Sequence, residues 1–389
     1  MKIILWISLF IVFYTYLGYG ILLYLLVRLK RIFKGRKEII ADWEHLPDLT
    51  LVVAAYNEAD LMEEKILNTL QLRYPADKLQ LLFVTDGSTD SSPEVISRYP
   101  QIKLMHSPER RGKINAVHRA MKEVHTHVVV FTDANTFLNQ DALVNIASHY
   151  ADPKVGAVSG EKRVKVEDVS DATAGEGFYW KYESTLKKWD SELYSVVGAA
   201  GELFSVRNDL YAPVYTDTIL DDFMISMLIA QKGYRIVYEP SAYATENSSE
   251  NIKEELKRKI RIAAGGIQSI VRLPKLLNPF AFPVLSFQYI SHRVLRWTIT
   301  PFLMILAFLL NIVIVSKEGG ALYTALLLCQ VLFYGLAFLG WLTQQWKIKV
   351  KVFFIPYYFC VMNYAVFAGM IRYFGKKQSA AWEKAKRRA

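Results

Sequence analysis

The sequence predicts an α/β protein, a mostly parallel sheet covered by helices, with membrane-spanning helices before and after it. Three observations predict this class. Between Leu49 and Tyr243, short apolar runs (LTLVVAA, LQLLFVTD, IKLMH, HVVVFTD, VGAVSG) alternate with amphipathic stretches such as Glu58–Leu72 and Lys113–Val124, the rhythm of β-α-β units. Runs that are apolar on both faces belong in a parallel sheet with helices on each side. The chain opens with an uncharged run, Ile3–Val27, long enough at ~1.5 Å per residue to cross ~30 Å of hydrocarbon. Three more apolar runs, Trp297–Val315, Ala321–Leu342 and Val352–Ile371, follow the alternating region.

The first run ends in Arg28, Lys30, Arg31, Lys34, Arg36 and Lys37, whereas a cleavable signal has a shorter core and a small-residue cleavage site, so an uncleaved anchor is expected. The basic cluster places the following region in the cytoplasm and Met1 outside. The predicted organisation is an anchor at 1–30, an α/β domain at 45–250, basic and amphipathic interface helices at 251–295, a membrane region at 296–374 and a basic tail at 375–389. With the basic turn Gln344–Lys351 and the tail both drawn to the cytoplasm, Val352–Ile371, which holds Pro356 and Asn363, is expected to be re-entrant or interfacial. The location implied is the inner, cytoplasmic membrane, crossed several times.

Composition excludes several classes. The 389 residues are 52% hydrophobic and 22% charged, too apolar for an ordinary soluble protein and too charged for a pure channel. Forty-seven Lys and Arg against 37 Asp and Glu leave +10, and the cluster after the anchor assigns much of that excess to a membrane surface; membrane lipids are expected partners and nucleic acid is not. Cys329 and Cys360 both lie in apolar runs, which excludes a disulfide framework and a thiolate zinc cluster. Ionisable residues in the spans are few and near their ends, which argues against a transporter.

Ligands of parallel sheets bind at the carboxyl ends of the strands, so the polar residues there are the candidates. The first strand ends in Ala55-Tyr56-Asn57-Glu58 and the second in Asp86-Gly87-Ser88-Thr89-Asp90. A carboxylate at Asp86 suits an N–H or hydroxyl donor of a base or ribose, although the same residues also form a plain capped turn. Arg111-Gly112-Lys113 opens the next helix, where amides and Lys113 can meet phosphate; the glycine spacing of a Walker loop is absent. The fourth strand ends in Thr132-Asp133-Ala134-Asn135-Thr136. Alternation puts Asp133 and Asn135 on one side, as two oxygens for a hard cation, Mg2+ or Mn2+, or as another capped turn. Asp221-Asp222 starts a helix, where acidic residues are favourable for the dipole alone. Two carboxylates so close also raise one pKa, which suits a general base. Downstream, Arg258, Lys259, Arg261, Gly265 and Gly266 form a basic helix with a glycine pair; it suits lipid contact or, at Arg261, a diphosphate.

Taken in order, these residues resemble the membrane-integrated family 2 glycosyltransferases, which include cellulose, hyaluronan, chitin and poly-N-acetylglucosamine synthases. The motifs are AYNE at Ala55–Glu58, DGSTD at Asp86–Asp90, GKxNA at Gly112–Ala116, Asp133-Ala134-Asn135, GAAGELFSVR at Gly198–Arg207 and Asp221-Asp222. The resemblance implies a GT-A fold and a hexosyltransferase that inverts the anomeric centre with Mg2+ or Mn2+. It implies that Ala55, Tyr56, Glu58, Asp86, Lys113, Asp133, Arg258 and Arg261 bind the donor, that Asp133 and Asn135 hold the metal, and that Asp222, beside Asp221, is the base. The expected partners are a nucleotide sugar, UDP-linked, and a saccharide or lipid-linked acceptor in surface polysaccharide synthesis. Two departures stand out: Asn135 replaces an Asp, and Arg258-Lys259-Ile260-Arg261-Ile262 stands where processive synthases carry Gln-x-x-Arg-Trp. The missing Trp favours, as alternative, single transfer to a polyprenyl phosphate. A non-catalytic nucleotide-sugar receptor is the third reading, and the presence of both Asp133 and Asp222 argues against it.

Overall fold

The structure, a computed structural model, describes residues 1–35, 43–165, 173–247, 252–345 and 351–375. Arg36 and Lys37 of the basic cluster, Lys347 and Lys349 of the basic turn, and the tail from residue 376 lie outside these residues. Two compact units emerge, one from Val27–Lys165 and Lys187–Glu250, the other from Met1–Leu26, Val166–Leu186 and Asn251–Gln378.

The first unit is built on an eight-stranded sheet: β1 (Leu49–Ala55), β2 (Leu79–Asp86), β3 (Lys103–Ser107), β4 (Val128–Asp133), β5 (Phe137–Leu138), β6 (Val155–Lys165), β7 (Leu203–Arg207) and β8 (Arg235–Asn247), in the order β3-β2-β1-β4-β7-β6-β8-β5. The expected α/β class with a largely parallel sheet is borne out: β1 pairs in parallel with β2 and β4, and β2 with β3. All seven residues of β1 are buried, as the both-face apolar run requires. One feature escaped the sequence reading. β7, within the GAAGELFSVR motif, runs antiparallel between β4 and β6, so the sheet is mixed beyond β4.

Strand order locates the site. The chain steps outward from β1 to β2 to β3, then returns to lay β4 on the other side of β1. That reversal leaves a crevice at the carboxyl ends of β1 and β4, the usual ligand position in such sheets. The core beneath it is Leu51, Val53, Phe83, Val128 and Val130, packed against Met62 and Ile66 of the Ala59–Leu70 helix.

In the second unit, four helices are long and apolar enough to cross a membrane: Lys2–Lys34, Ile299–Lys317, Ala321–Gln344 and Val352–Phe374. The first contains a π turn at Tyr14–Gly18. The basic helix Ile252–Arg272 carries acidic residues in its first turn and Arg272 in its last, both favourable for the macrodipole. Its Ala263 lies so close to Gly369 that a Cβ there would come within 2.7 Å, the small-residue approach typical of helices in lipid.

The fourth apolar run departs from the sequence expectation. Rather than breaking at Pro356, Lys351–Phe374 is one continuous helix. A proline costs one backbone bond, a loss that helices in membranes absorb, and Asn363 is satisfied by Tyr16 Oη at 2.6 Å and by Phe359 O at 2.9 Å. A re-entrant shape is therefore excluded for this segment. In a background lacking Cys329 and Cys360, single spin labels along it should collide most with dissolved oxygen at Val352, Ile355, Tyr364 and Ile371, which are exposed, and least at Phe354, Tyr358 and Ala365, which are buried. Loss of that helical periodicity at Pro356 would contradict the continuous helix.

Candidate active site

The loops after β1 and β2 are laced together. Asn57 holds a left-handed backbone (φ 52°), uncommon for a residue with a side chain. Its side chain accounts for this: Thr89 N donates to Asn57 Oδ1 at 2.8 Å and Asn57 Nδ2 donates to Thr89 Oγ1 at 3.3 Å. Glu58 N donates to Ser92 Oγ at 3.1 Å, and Ala59 N to Asp90 Oδ2 at 2.9 Å. The Ala59–Leu70 helix thus takes its N-terminal acceptor from a carboxylate in another segment, in place of a local cap. Glu58 itself is buried.

Asp86 is buried at the end of β2 and accepts from two amides, Arg111 N at 2.9 Å and Gly112 N at 2.6 Å, with Arg119 Nη2 at 3.4 Å from its other oxygen. It therefore fastens the Arg111-Gly112-Lys113 turn to the sheet. A cleft opens above, lined by Ala55, Tyr56, Asp86, Arg110, Gly112 and Lys113. The Arg110 guanidinium stands 4.0 Å from the centre of the Tyr56 ring, a cation–π pairing that fixes both on the rim. Arg110 was missed from the sequence, where it reads as one more charge in a solvated Glu-Arg-Arg run.

Beside the cleft three acidic residues meet one lysine. Lys113 Nζ donates to Asp133 Oδ1 at 2.7 Å and lies 3.8 Å from Asp221 Oδ2. Burial works against the ammonium, but Asp133, Asp221 and Asp222 together outweigh it and raise its pKa. Burial and the Asp221 charge raise the Asp222 carboxyl to about 7, against the pull of Lys113. So the structure brings together Lys113, Asp133, Asp221 and Asp222. Arg258 and Arg261 belong to the other unit; Arg258 pairs with Glu255 at 3.0 Å on its own helix, and Arg261 Nε is buried without a hydrogen-bond partner among the described residues.

Asp222 opens the Asp221–Gln231 helix, and the Gly198–Glu202 loop closes over it. Ser226 Oγ donates to Asp222 O at 2.7 Å and accepts from Ala199 N at 3.0 Å, while Ala200 N donates to Ser159 Oγ at 3.1 Å. At Gly198 (φ 81°) a Cβ would overlap the Phe223 ring, so both the conformation and the space require glycine. Lys162, buried, pairs with Glu202 at 2.6 Å and with Glu246, a triad that had no sequence signal beyond three charges far apart.

Asp133 and Asn135 flank one turn, each 9% exposed. Asn135 Oδ1 is buried and accepts no hydrogen bond from the described residues, an expensive state for an amide oxygen and one that a hard cation relieves. Among the described residues no group of three His, Cys, Asp or Glu side chains forms a cage. A cation of the Mg2+ or Mn2+ type fits here, because such ions take one or two protein oxygens and complete their shell with phosphate and water.

Comparison with known proteins agrees with this geometry. Residues 50–212 match the family described as Glycosyl transferase family 2. A poly-beta-1,6-N-acetyl-D-glucosamine synthase of Staphylococcus aureus is 29% identical over 239 residues, 59% of this chain and 57% of that protein. One of Staphylococcus epidermidis is 26% identical over 242 residues, 60% of this chain and 58% of that protein. The alignment thus spans less than two thirds of these relatives. A solved mannosyltransferase from Pyrobaculum calidifontis, in complex with GDP-Man and Mn2+, superposes with TM-score 0.71 and 25% identity over 96% of this chain and 100% of its own. The expected GT-A fold with flanking apolar helices is borne out by that likeness.

The glycine loop generates a test. A Cβ at Gly201 would sit 3.0 Å from Asp222 Oδ2 and 3.3 Å from its Cγ, so Gly201→Ala displaces that carboxylate while the backbone stays in an ordinary conformation. The carboxylate must give way by a few tenths of an ångström, and since misplacement by about 1 Å costs about 10²-fold at a reacting centre, kcat is expected to fall by roughly three- to tenfold with the melting temperature nearly unchanged. Unaltered kcat would show that the Asp222 position is not critical.

Proposed function

We propose that this chain, which carries a family 2 glycosyltransferase domain at residues 50–212, moves a sugar from a nucleotide sugar to a hydroxyl of a saccharide acceptor, with inversion and with Mg2+ or Mn2+ as cofactor. One observation carries the reading: a carboxyl raised to about 7, Asp222, stands beside the lysine that holds Asp133. A general base must be able to take a proton near the working pH, and its neighbours must tolerate the diphosphate that leaves. The relatives named as poly-beta-1,6-N-acetyl-D-glucosamine synthases support an amino-sugar polymer as product, with a UDP-linked donor. The GDP-Man and Mn2+ in the solved mannosyltransferase support a nucleotide sugar and a divalent cation.

In this reading the nucleotide occupies the cleft of Ala55, Tyr56, Asp86 and Arg110, with Glu58 bracing the loop beneath it. The diphosphate meets Lys113 and the amides at the start of its helix. Asp133 and Asn135 hold the cation, which supplies charge neutralisation for the leaving group when bound. Asp222 takes the proton of the acceptor hydroxyl as the acceptor oxygen bonds to the anomeric carbon. The bond from that carbon to the diphosphate oxygen breaks, and the nucleoside diphosphate departs with the electron pair. Asp221 keeps the Asp222 carboxylate basic by repulsion. We assign 45–250 as the catalytic domain on the cytoplasmic side, 251–295 as its membrane interface and 296–374 as the membrane region.

A second reading, transfer of one sugar to a polyprenyl phosphate, is favoured by Ile262, which lacks the ring an acceptor sugar would stack on. Membranes incubated with radiolabelled nucleotide sugars separate the two. Label in ethanol-insoluble polymer supports the first, and label extracted into organic solvent supports the second.

Asp222→Asn keeps the shape but takes no proton. Turnover should fall roughly 10²–10⁴-fold while calorimetry shows nucleoside diphosphate binding unchanged; turnover within a few-fold of wild type would remove Asp222 from the role. The base acts deprotonated, so kcat/KM should rise with pH to a plateau above about 7 and drop about tenfold per unit below it. A limb near the ordinary carboxylate range would contradict the raised pKa. Asp133→Ala leaves only the neutral Asn135 oxygen, and Mn2+-dependent tightening of UDP binding should disappear. Full wild-type turnover in EDTA would exclude a metal role.

A further inference from the structure

Lys65 is a lysine that its position does not explain. It sits on the inner face of the Ala59–Leu70 helix beside Met62, Ile66 and Thr69, with no exposed surface. Its Nζ makes one hydrogen bond, to Thr136 O at 2.6 Å. No carboxylate among the described residues lies within ion-pair distance of it; burial lowers its pKa to about 7, and the Asp133 charge only partly opposes that. Burying an ammonium with a single neutral acceptor costs several kcal/mol, whereas leucine or methionine would fill the space at no such cost. Packing therefore gives no reason for a lysine here.

Its acceptor gives one. Thr136 closes the turn that bears Asp133 and Asn135: Thr136 Oγ1 donates to Asp133 O at 3.0 Å and lies 3.0 Å from Thr132 Oγ1. Thr132 Oγ1 in turn donates to Glu202 O at 2.9 Å. Two of the turn's anchors are thus neutral hydroxyls, and its last carbonyl is held by the buried Lys65. Three residues on, Asn68 Nδ2 donates to Leu138 O at 2.8 Å and its Oδ1 accepts from Leu138 N at 2.9 Å. The same helix therefore grips the chain on the far side of the turn, without charge.

We propose that Lys65 is a positioning residue for the metal and diphosphate site. Its Nζ donates to Thr136 O and so fixes the Thr132–Thr136 turn, which sets the Asp133 and Asn135 oxygens before a cation arrives. The inference rests on the reading of Asp133 and Asn135 as cation ligands.

The test uses the full chain in detergent and measures binding of UDP and of GDP by calorimetry, with Mn2+ and with EDTA. Wild type should bind more tightly with Mn2+. Lys65→Met should melt cooperatively and bind in EDTA as wild type does, yet lose about tenfold of the Mn2+-dependent tightening. In turnover, KM for the donor should rise more than kcat falls, and Lys65→Arg should restore part of the loss. Asn68→Ala, which loosens the neighbouring grip only, should keep the full Mn2+ response. Should the methionine variant not melt cooperatively, Lys65→Gln takes its place; its amide is too short to reach Thr136 O and the same loss is expected. Equal Mn2+ tightening in wild type and the Lys65 variant, or an equal loss in Asn68→Ala, overturns the proposal alone. A wild type whose binding ignores Mn2+ overturns the cation reading itself and this proposal with it.

Discussion

One ammonium makes the acidic site tenable. Asp133 comes from the end of a parallel strand and Asp221-Asp222 from the start of a helix far along the chain, and Lys113 bridges them at 2.7 Å and 3.8 Å. Three carboxylates so placed repel one another strongly in a partly dry cleft. One lysine cannot neutralise three, and the imbalance falls on Asp222, whose carboxyl is the one pushed up to about 7. The basicity of this residue thus follows from a charge count and from burial, and the Asp side chain alone would not supply it. The same lysine follows the Arg111-Gly112 turn, whose amides donate to Asp86, which couples the acidic group to the cleft lined by Tyr56 and Arg110.

Much of this was legible because the signals were local. β1, β2 and β4 announce themselves by being apolar on both faces, and the abrupt change to AYNE, DGSTD and TDANT marks where each ends. The acidic pair at 221–222 is visible for the same reason, as charge at the head of an apolar helix. What stayed hidden depends on distant partners. Lys65 reads as a solvated charge between Glu64 and Ile66, and only the packing of its helix on the sheet buries it. Asp90 looks like part of its own turn, yet it also accepts from Ala59 N at the start of the helix after β1. The re-entrant alternative for Val352–Ile371 failed for a different reason. It balanced charges in segments that lie outside the described residues against a proline that the helix tolerates.

In the membrane unit polarity is placed by pairing. Thr15 lies 3.0 Å from Thr300 Oγ1, Tyr14 Oη 2.8 Å from Ser291 Oγ, and Asn311 Nδ2 2.9 Å from Gln330 Oε1. Such groups face a partner in another helix because lipid offers them none. The π turn at Tyr14–Gly18 has a matching use, since Tyr182 Oη donates to Tyr16 O at 2.6 Å. Glu183, the next residue after Tyr182 on its helix, gathers Arg293 at 2.6 Å, Arg296 at 3.0 Å and His292 at 3.2 Å. These neighbours hold its carboxyl well below the ordinary range although burial opposes them. Breaking one member would leave charges stranded indoors, so this cluster fixes how the 173–193 helix meets the segment before the second span.

Backbone strain separates the site from the rest of the fold. A positive φ by itself says little: Gly233 has one (94°), ends the Asp221–Gln231 helix, and has no atom within 4 Å of where a Cβ would stand. That is an ordinary helix stop. Gly87 and Gly198 differ, because there the conformation coincides with crowding, against Arg110 in one case and the Phe223 ring in the other. Asn57 bears the same conformation with a side chain that two hydrogen bonds hold in place. Local rules of propensity are thus broken together at the loops around one crevice and kept elsewhere in that unit. Strain concentrated in this way persists only where surrounding contacts over-determine it, as they do at sites that must be set before a ligand arrives. The buried Lys65 and the Asn135 oxygen, which has no hydrogen-bond partner among the described residues, belong to the same set: each is unfavourable alone, and both bear on the turn that closes with Thr136.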